Sequence, residues 1–286
     1  MLAGGSGVKT KTSKKPTLKN PTIISFLNYK GGVGKTNVSV NFAYYAATEL
    51  GLSTLLIDWD PQGDATEYIG FGRNNVKVTM FDFLVNNLKG IIGETISSTA
   101  FENLFIIGAN ASLKNVENLV ARSDDTFEVF RETIHECAKQ FDLVVIDCPP
   151  ANSHVNIASI FASTEVFVVT TPASDSIDKI NLVQQMIENI SSVIETNTGQ
   201  ESVSNIIRPS MKGIILTMGI ENTIGLDVAR EHLKSIWGDM LLNPVIPRTI
   251  SASYSVSECV PILKAKPQEK LSRMYRQLFL EVIARV

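Results

Sequence analysis

Cysteine is scarce. The three in 286 residues, Cys137, Cys148 and Cys259, stand far apart with no Cys-x-x-Cys pair. That spacing argues against a structural zinc site or a disulfide framework and makes buried free thiols the expected state. The three histidines, His135, His154 and His232, are equally scattered, and surface positions are expected for them. No apolar run approaches the roughly 18–20 residues of a membrane span, and the start has no apolar signal-peptide core, so a cytoplasmic chain is expected. There is no internal repeat. Only about twenty residues precede the first predicted strand, too few for an N-terminal helix-turn-helix domain. With 44% hydrophobic and 19% charged residues, the chain has the composition of one large α/β domain over residues 21–286.

One segment carries chemistry plainly. Lys30-Gly31-Gly32-Val33-Gly34-Lys35-Thr36-Asn37 lies between the apolar, β-branched run Thr22–Leu27 and a helical pattern built on Val38, Val40, Phe42, Ala43, Ala46, Ala47 and Leu50. Gly51 is placed to cap that helix. A phosphate loop requires Gly-x-x-x-x-Gly-Lys-Ser/Thr. Here Gly34, Lys35 and Thr36 satisfy its second half, while Tyr29 replaces the first glycine. The glycines allow backbone angles that turn successive N–H groups inward, and the helix N-terminus behind them adds to this anion nest. Lys35 is placed to reach the β- and γ-phosphates of ATP and Thr36 to offer its hydroxyl to Mg²⁺. Lys30 is a second cation where one would serve a simple phosphate site.

Two further runs end in aspartates. Leu55-Leu56-Ile57 leads into Asp58-Trp59-Asp60-Pro61-Gln62-Gly63-Asp64-Ala65-Thr66, and Leu143–Ile146 delivers Asp147 before Cys148-Pro149-Pro150. An aspartate at the carboxyl end of a buried parallel strand lies at the ligand-binding edge of the sheet, so Asp147 suits the Walker B role. Alternation along a strand predicts Asp58 and Asp60 on one side and Trp59 on the other, with either carboxylate able to face the metal or the attacking water.

With these motifs, and the later Leu-Thr-Met and Ile-Pro-Arg stretches, the chain resembles the ParA-type partition ATPases. These stand with MinD and the nitrogenase iron protein among the deviant Walker P-loop proteins. The resemblance runs from about residue 22 to about 265. It implies a mostly parallel twisted β-sheet flanked by helices, an ATPase with weak intrinsic activity, and ATP and Mg²⁺ as ligands. Lys30 would cross to the partner subunit's ATP in a nucleotide-sandwich homodimer, with Gly31 to Asn37 around the phosphates. Lys35 and Thr36 would be the Walker A lysine and metal ligand and Asp147 the Walker B aspartate. Asp60 would serve hydrolysis, with Asp58 supporting the metal shell. Thr217, Met218, Pro247 and Arg248, at the ends of the predicted strands Lys212–Met218 and Leu241–Ile246, would flank the adenine. The implied partners are non-specific double-stranded DNA and a small centromere-binding protein of ParB type, with nucleoid association.

Elsewhere the sequence is less specific. Val78–Leu88 reads as helix, Leu104–Ile107 as strand, Leu113–Gln140 as helix, Val166–Thr170 as strand, Ser176–Ile194 as helix and residues 196–210 as a surface loop. Residues 1–20 hold Lys9, Lys11, Lys14, Lys15 and Lys19 and no acid, so this segment is +5 and the remainder must carry −8 to give the overall −3. It reads as a flexible basic arm suited to DNA phosphates or as a solubilising leader. The family's arginines after the Thr-Met strand and after Ile-Pro-Arg are absent apart from Arg248. Lys264, Lys266, Lys270 and Arg273 on the closing stretch are the candidate substitutes.

That stretch also carries an apolar stripe, Leu271, Met274, Tyr275, Leu278, Val282 and Ile283. The stripe suits either docking on the core or, as in MinD-like positioning ATPases, an interfacial membrane helix. Membrane contact is not expected. An iron–sulfur reductase component would need paired interface cysteines, and a small-molecule kinase would leave Lys30 without a task.

Overall fold

A computed structural model describes residues 15–19, 21–86, 95–116, 125–150, 153–197 and 207–286. One eight-stranded sheet runs in the order β3-β4-β2-β5-β1-β6-β7-β8. Its strands are β1 (Ile23–Leu27), β2 (Thr54–Asp58), β3 (Ile96–Ser98), β4 (Leu104–Ile107), β5 (Leu143–Asp147), β6 (Glu165–Thr170), β7 (Ser210–Gly219) and β8 (Ile246–Pro247). Among the described residues only the β3–β4 pairing is antiparallel. β1, β2 and β5 are buried along their whole length, which is why they read as mostly apolar runs rather than as alternation.

Helices cover both faces. Along β1 the faces alternate: Ile23 and Leu27 join one apolar cluster, and Ile24 and Phe26 the other. Helix α1 (Lys35–Tyr44), extended by a π turn over Tyr45–Glu49, is buried on nearly every side from Val38 to Tyr44. It lies between the sheet and the closing helix Lys270–Ile283, so the single apolar face expected for it is too narrow a description. Gly51 has φ 70° beyond its end, the left-handed geometry expected of a cap.

The apolar stripe of the closing helix docks on the core. Leu271, Tyr275, Leu278, Phe279 and Val282 are buried, and Met274 and Ile283 pack against them. Phe279 meets Phe42 edge-on at 5.3 Å, and Phe42 meets Phe26 at 5.5 Å, joining this helix to the sheet through α1. Phe279→Ala is expected to cost about 3–5 kcal/mol in urea unfolding; a loss under about 1 kcal/mol would mean that the helix is not integral to the core. Among the described residues no helix is long and apolar enough to cross a membrane.

The fold departs from the sequence pattern at several elements. In place of a last strand over Leu241–Ile246, Leu241 makes one isolated bridge to Ile214, and β8 is confined to Ile246–Pro247. Pro244 and Pro247 have no N–H to give a ladder. The helix expected over Leu113–Gln140 is a short 3₁₀ turn at Ala111–Asn115 and a helix at Asp125–Ala138, with residues 117–124 outside the described residues. The helix expected over Val78–Leu88 spans Met80–Asn86, and most of the loop at 196–210 also lies outside the described residues.

His135 is not a surface residue: it is half-buried with Nε2 3.0 Å from the Ala162 carbonyl, and burial pushes its pKa down to about 4. His154 and His232 are exposed. Cys137 and Cys148 are buried free thiols, whereas Cys259 is only half-buried. The chain also meets the core before residue 21, since Lys15 pairs with Asp142 at 2.7 Å and Leu18 packs on the apolar cluster around α1.

Candidate nucleotide site

The carboxyl ends of β1, β2 and β5 converge, because β5 is paired with both β1 and β2. Leaving β1, the Asn28 side chain donates to the Val169 carbonyl at 2.9 Å and accepts the Lys30 N–H at 2.9 Å, fixing the start of the loop on β6. Gly32 and Gly34 then take φ 73° and 87°, the left-handed region that other residues avoid. Gly34 is the N-cap of α1 and offers no side chain to the first-turn N–H groups, which leaves them for an anion. Lys35 is buried, with Nζ 3.2 Å from the Lys30 carbonyl oxygen. Burial lowers its pKa, opposed by the charges of Asp147, Cys148 and Asp60.

Asp147, at the end of β5, is fully buried. Thr36 Oγ1 donates to its Oδ2 at 2.8 Å, and Ser39 Oγ, one turn further along α1, donates to Oδ1 at 2.9 Å. Burial outweighs both bonds and raises the Asp147 pKa to about 7. Asp58 lies opposite it in the β2–β5 register and is also raised, first by burial and then by the Asp147 charge. Two such carboxylates side by side favour a nearby cation.

Asp58 and Asp60 part company, because β2 ends at Asp58 and strand alternation stops there. Asp58 Oδ2 accepts the Thr66 N–H at 2.8 Å and the Thr66 hydroxyl at 2.6 Å, and its Oδ1 accepts the Asp60 N–H at 3.2 Å. Its carboxylate is thereby turned inward. Asp60 is half-buried and accepts the Gln62 N–H at 2.9 Å. It lines a cavity of about 690 Å³ with Gly32–Asn37, Cys148, Pro150 and Met218. Trp59 is buried, stacked on Phe130 at 4.5 Å with its Nε1–H on the Val155 carbonyl.

A second cavity of about 630 Å³ shares Gly32, Gly34, Asn37, Met218 and Val256 with the first and brings together Thr217, Met218, Pro247 and Arg248. Thr217 spends its hydroxyl on the loop, 2.6 Å from the Val33 carbonyl and 3.0 Å from that of Thr170. Thr249, Ala252, Ser253 and Tyr275 also line this cavity, and no motif points to them. Tyr275 donates to Asn37 Oδ1 at 2.7 Å across 238 residues of chain, a contact without any local signal. Sequence reasoning also misses Thr66 and Ser39, although Thr66 stands inside the Asp58–Thr66 motif.

Lys30 stands apart from Lys35. Its ammonium is half-exposed, pairs with Asp175 at 2.5 Å, and lines an adjoining groove with Gly31, Thr171, Pro172 and Ile220, which meets the two cavities at Gly32 and Met218. Of the candidate DNA contacts, Lys9, Lys11 and Lys14 lie outside the described residues. Lys19, Arg248, Lys264, Lys270 and Arg273 are exposed. Lys266 pairs with Glu269 at 2.9 Å, Lys270 with Glu221 at 2.6 Å, and Arg273 donates to the Gln268 carbonyl at 2.7 Å. Such exposed pairs exchange readily for other anions.

A strand, a glycine-rich loop with Lys-Thr at its end, and a neighbouring strand bearing an aspartate bonded to that threonine define a P-loop ATPase of the deviant Walker type. The family model AAA_31, an AAA domain, matches residues 21–201, and the chain belongs to that family as a ParA-type ATPase. The chromosome-partitioning ATPase Soj of Treponema pallidum (strain Nichols) is 29% identical over 263 residues, 91% of this chain and 96% of its own length. The McdA–ATP complex of Cyanothece shares the fold at a TM-score of 0.78 and 16% identity, over 91% of this chain and 96% of that one. The Mg-ADP complex of the septum site-determining protein MinD from Pyrococcus horikoshii OT3 does so at 0.67 and 22%, over 91% and 95%.

Proposed function

We propose that the protein is a DNA-partition switch: an ATP-sandwich homodimer that binds non-specific DNA, hydrolyses ATP slowly and is stimulated by a small centromere-binding partner. The observation that carries this reading is the separation of the two loop lysines. Lys35 is buried in the cradle, where it serves the ATP of its own subunit. Lys30 is half-exposed outside it, held by an exchangeable ion pair, and so is available to a second copy. A cation supplied in trans can be worth about 10³–10⁵ in rate. ATP then favours the dimer and hydrolysis loosens it.

Mg²⁺ fits the donors present, since the Thr36 hydroxyl and the Asp147 carboxylate are hard oxygens side by side. When bound it supplies positive charge to the phosphoryl oxygens. Asp147 orients Thr36, Lys35 binds the phosphates, and Asp60, a carboxylate on the cavity wall whose pKa is pushed up by burial, positions the attacking water. Asp58 acts from behind, holding Thr66 and the turn that carries Asp60. Thr217, Met218, Pro247 and Arg248 flank the base.

Arg248, Lys264, Lys266, Lys270 and Arg273, with the N-terminal lysines, form the proposed DNA surface, and nucleoid association in the cytoplasm follows from it. The MinD-like alternative loses its main support because the closing helix spends its apolar stripe on the core. Binding to non-specific duplex DNA and to anionic liposomes, with ATP, ADP or no nucleotide across a salt series, tests the reading. Binding to DNA is expected only with ATP, weakening as salt rises with a slope of about 0.9 per phosphate neutralised. Lipid binding without DNA binding would overturn it.

A further inference from the structure

Arg73 lines the phosphate-side cavity and has no task in the hydrolytic machinery assigned so far. The turn it touches is the one that presents Asp60. Residues 60–63 pair with no strand; the Gly63 N–H closes on the Asp60 carbonyl at 2.9 Å, and Gly63, at φ 67°, caps the short helix Asp64–Tyr68. From behind, Thr66 ties that helix to Asp58.

From the front the tie is Arg73. Its Nε donates to the Gly63 carbonyl at 3.2 Å, its Nη2 pairs with Asp64 at 3.2 Å, and its backbone N–H donates to Glu67 Oε1 at 2.8 Å. Its stem lies flat on Gly63: a Cβ there would come within 3.0 Å of Arg73 Cγ and Cδ and 2.9 Å of the Ala109 carbonyl. Asp60, Asp64 and Glu67 also place three carboxylates on the cavity wall, where a polyphosphate would meet repulsion. Besides Lys35, Arg73 is the cation among the residues lining that cavity.

We propose that Arg73 is a positioning residue for ATP hydrolysis, clamping the Gly63–Asp64 turn so that Asp60 is held toward the phosphates. This rests on the assignment of Asp60 to hydrolysis. Lysine cannot substitute, because one ammonium does not reproduce the fork that reaches the Gly63 carbonyl and Asp64 together.

Steady-state ATP hydrolysis and thermal melting of the full chain test it, with Arg73→Ala, Arg73→Lys, Asp64→Asn and the double variant. The expected result is a fall in kcat of about tenfold for Arg73→Ala with KM within about twofold. Arg73→Lys should restore little, and the melting temperature should not change. The double variant should be no slower than Arg73→Ala alone, since both remove the same contact. A raised KM with unchanged kcat would overturn the proposal and make the guanidinium a nucleotide-binding group. A wild-type kcat would overturn it outright. Asp60→Asn, measured alongside, separates the two claims. If it is inactive while Arg73→Ala is normal, the Asp60 assignment stands and the clamp alone fails; if it hydrolyses ATP normally, both fail.

Discussion

Lys30→Ala should bind ATP with nearly wild-type affinity and yet fail to dimerise when ATP is added. The expectation follows from where the ammonium sits. Lys35, the nest glycines and Thr36 are all intact in this variant, and Lys35 Nζ meets the Lys30 carbonyl, a main-chain contact that alanine preserves. What is lost is the half-exposed cation now held by Asp175. That surface pair contributes little to stability, so the variant should fold. Sedimentation with ATP and with ADP checks dimerisation, and fluorescent-nucleotide titration checks binding. A hydrolysis rate lower by about 10³-fold or more should accompany the loss, as for other cations supplied in trans. An ATP-bound Lys30→Ala dimer would show that ATP joins two copies without this cation and remove the basis for a shared site.

Asp147→Asn should be folded and almost inactive. Asparagine keeps the shape and one acceptor oxygen, so one of the bonds from Thr36 and Ser39 can persist, while its amide nitrogen faces the other hydroxyl. Removing the charge also relieves Asp58, whose pKa the Asp147 carboxylate helps to raise. The melting temperature should therefore hold. The cost falls on Thr36, which is no longer oriented by a charged acceptor, and on a metal deprived of the buried negative charge beside it. Metal-derived charge stabilisation is worth several kcal/mol, so a fall in turnover of about 10²–10³-fold is expected. Steady-state ATP hydrolysis across a Mg²⁺ series and a thermal melt measure the two halves of this prediction. Full activity would show that Thr36 needs no such partner.

Both effects fall on residues that are legible in the amino-acid sequence alone, and there is a physical reason. A phosphate loop is a local device: its glycines, lysine and threonine act through backbone angles and reach set within eight residues. Buried parallel strands are equally plain, since β1, β2 and β5 have no solvent face and appear as short, mostly apolar runs without polar alternation. Legibility fails where partners are distant or elements are short. β3 has three residues and is half-exposed, so it leaves no pattern. The sequence pattern over-extends β8 because Leu241 and Leu242 pair with the sheet only at Ile214 and Pro244 then interrupts the pairing before Ile246. Strand alternation misleads at Asp58 and Asp60 because it is applied past the end of the strand. Tyr275 on Asn37 and Ser39 on Asp147 depend on how the helices pack, and only the fold brings them together.

The clearest discriminator is hydrolysis by mixed subunits. Lys30→Ala and Lys35→Ala chains are each expected to be inactive, one lacking the crossing cation and the other the lysine of its own cradle. Combined, they can form a heterodimer in which the Lys30→Ala subunit holds ATP with its own Lys35 and receives Lys30 from its neighbour. Recovery of activity on mixing, toward half that of the unmodified protein at most, is the predicted result. A mixture as inactive as its components, or a Lys30→Ala chain that hydrolyses ATP unaided, would contradict an ATP site completed by a second copy of the chain.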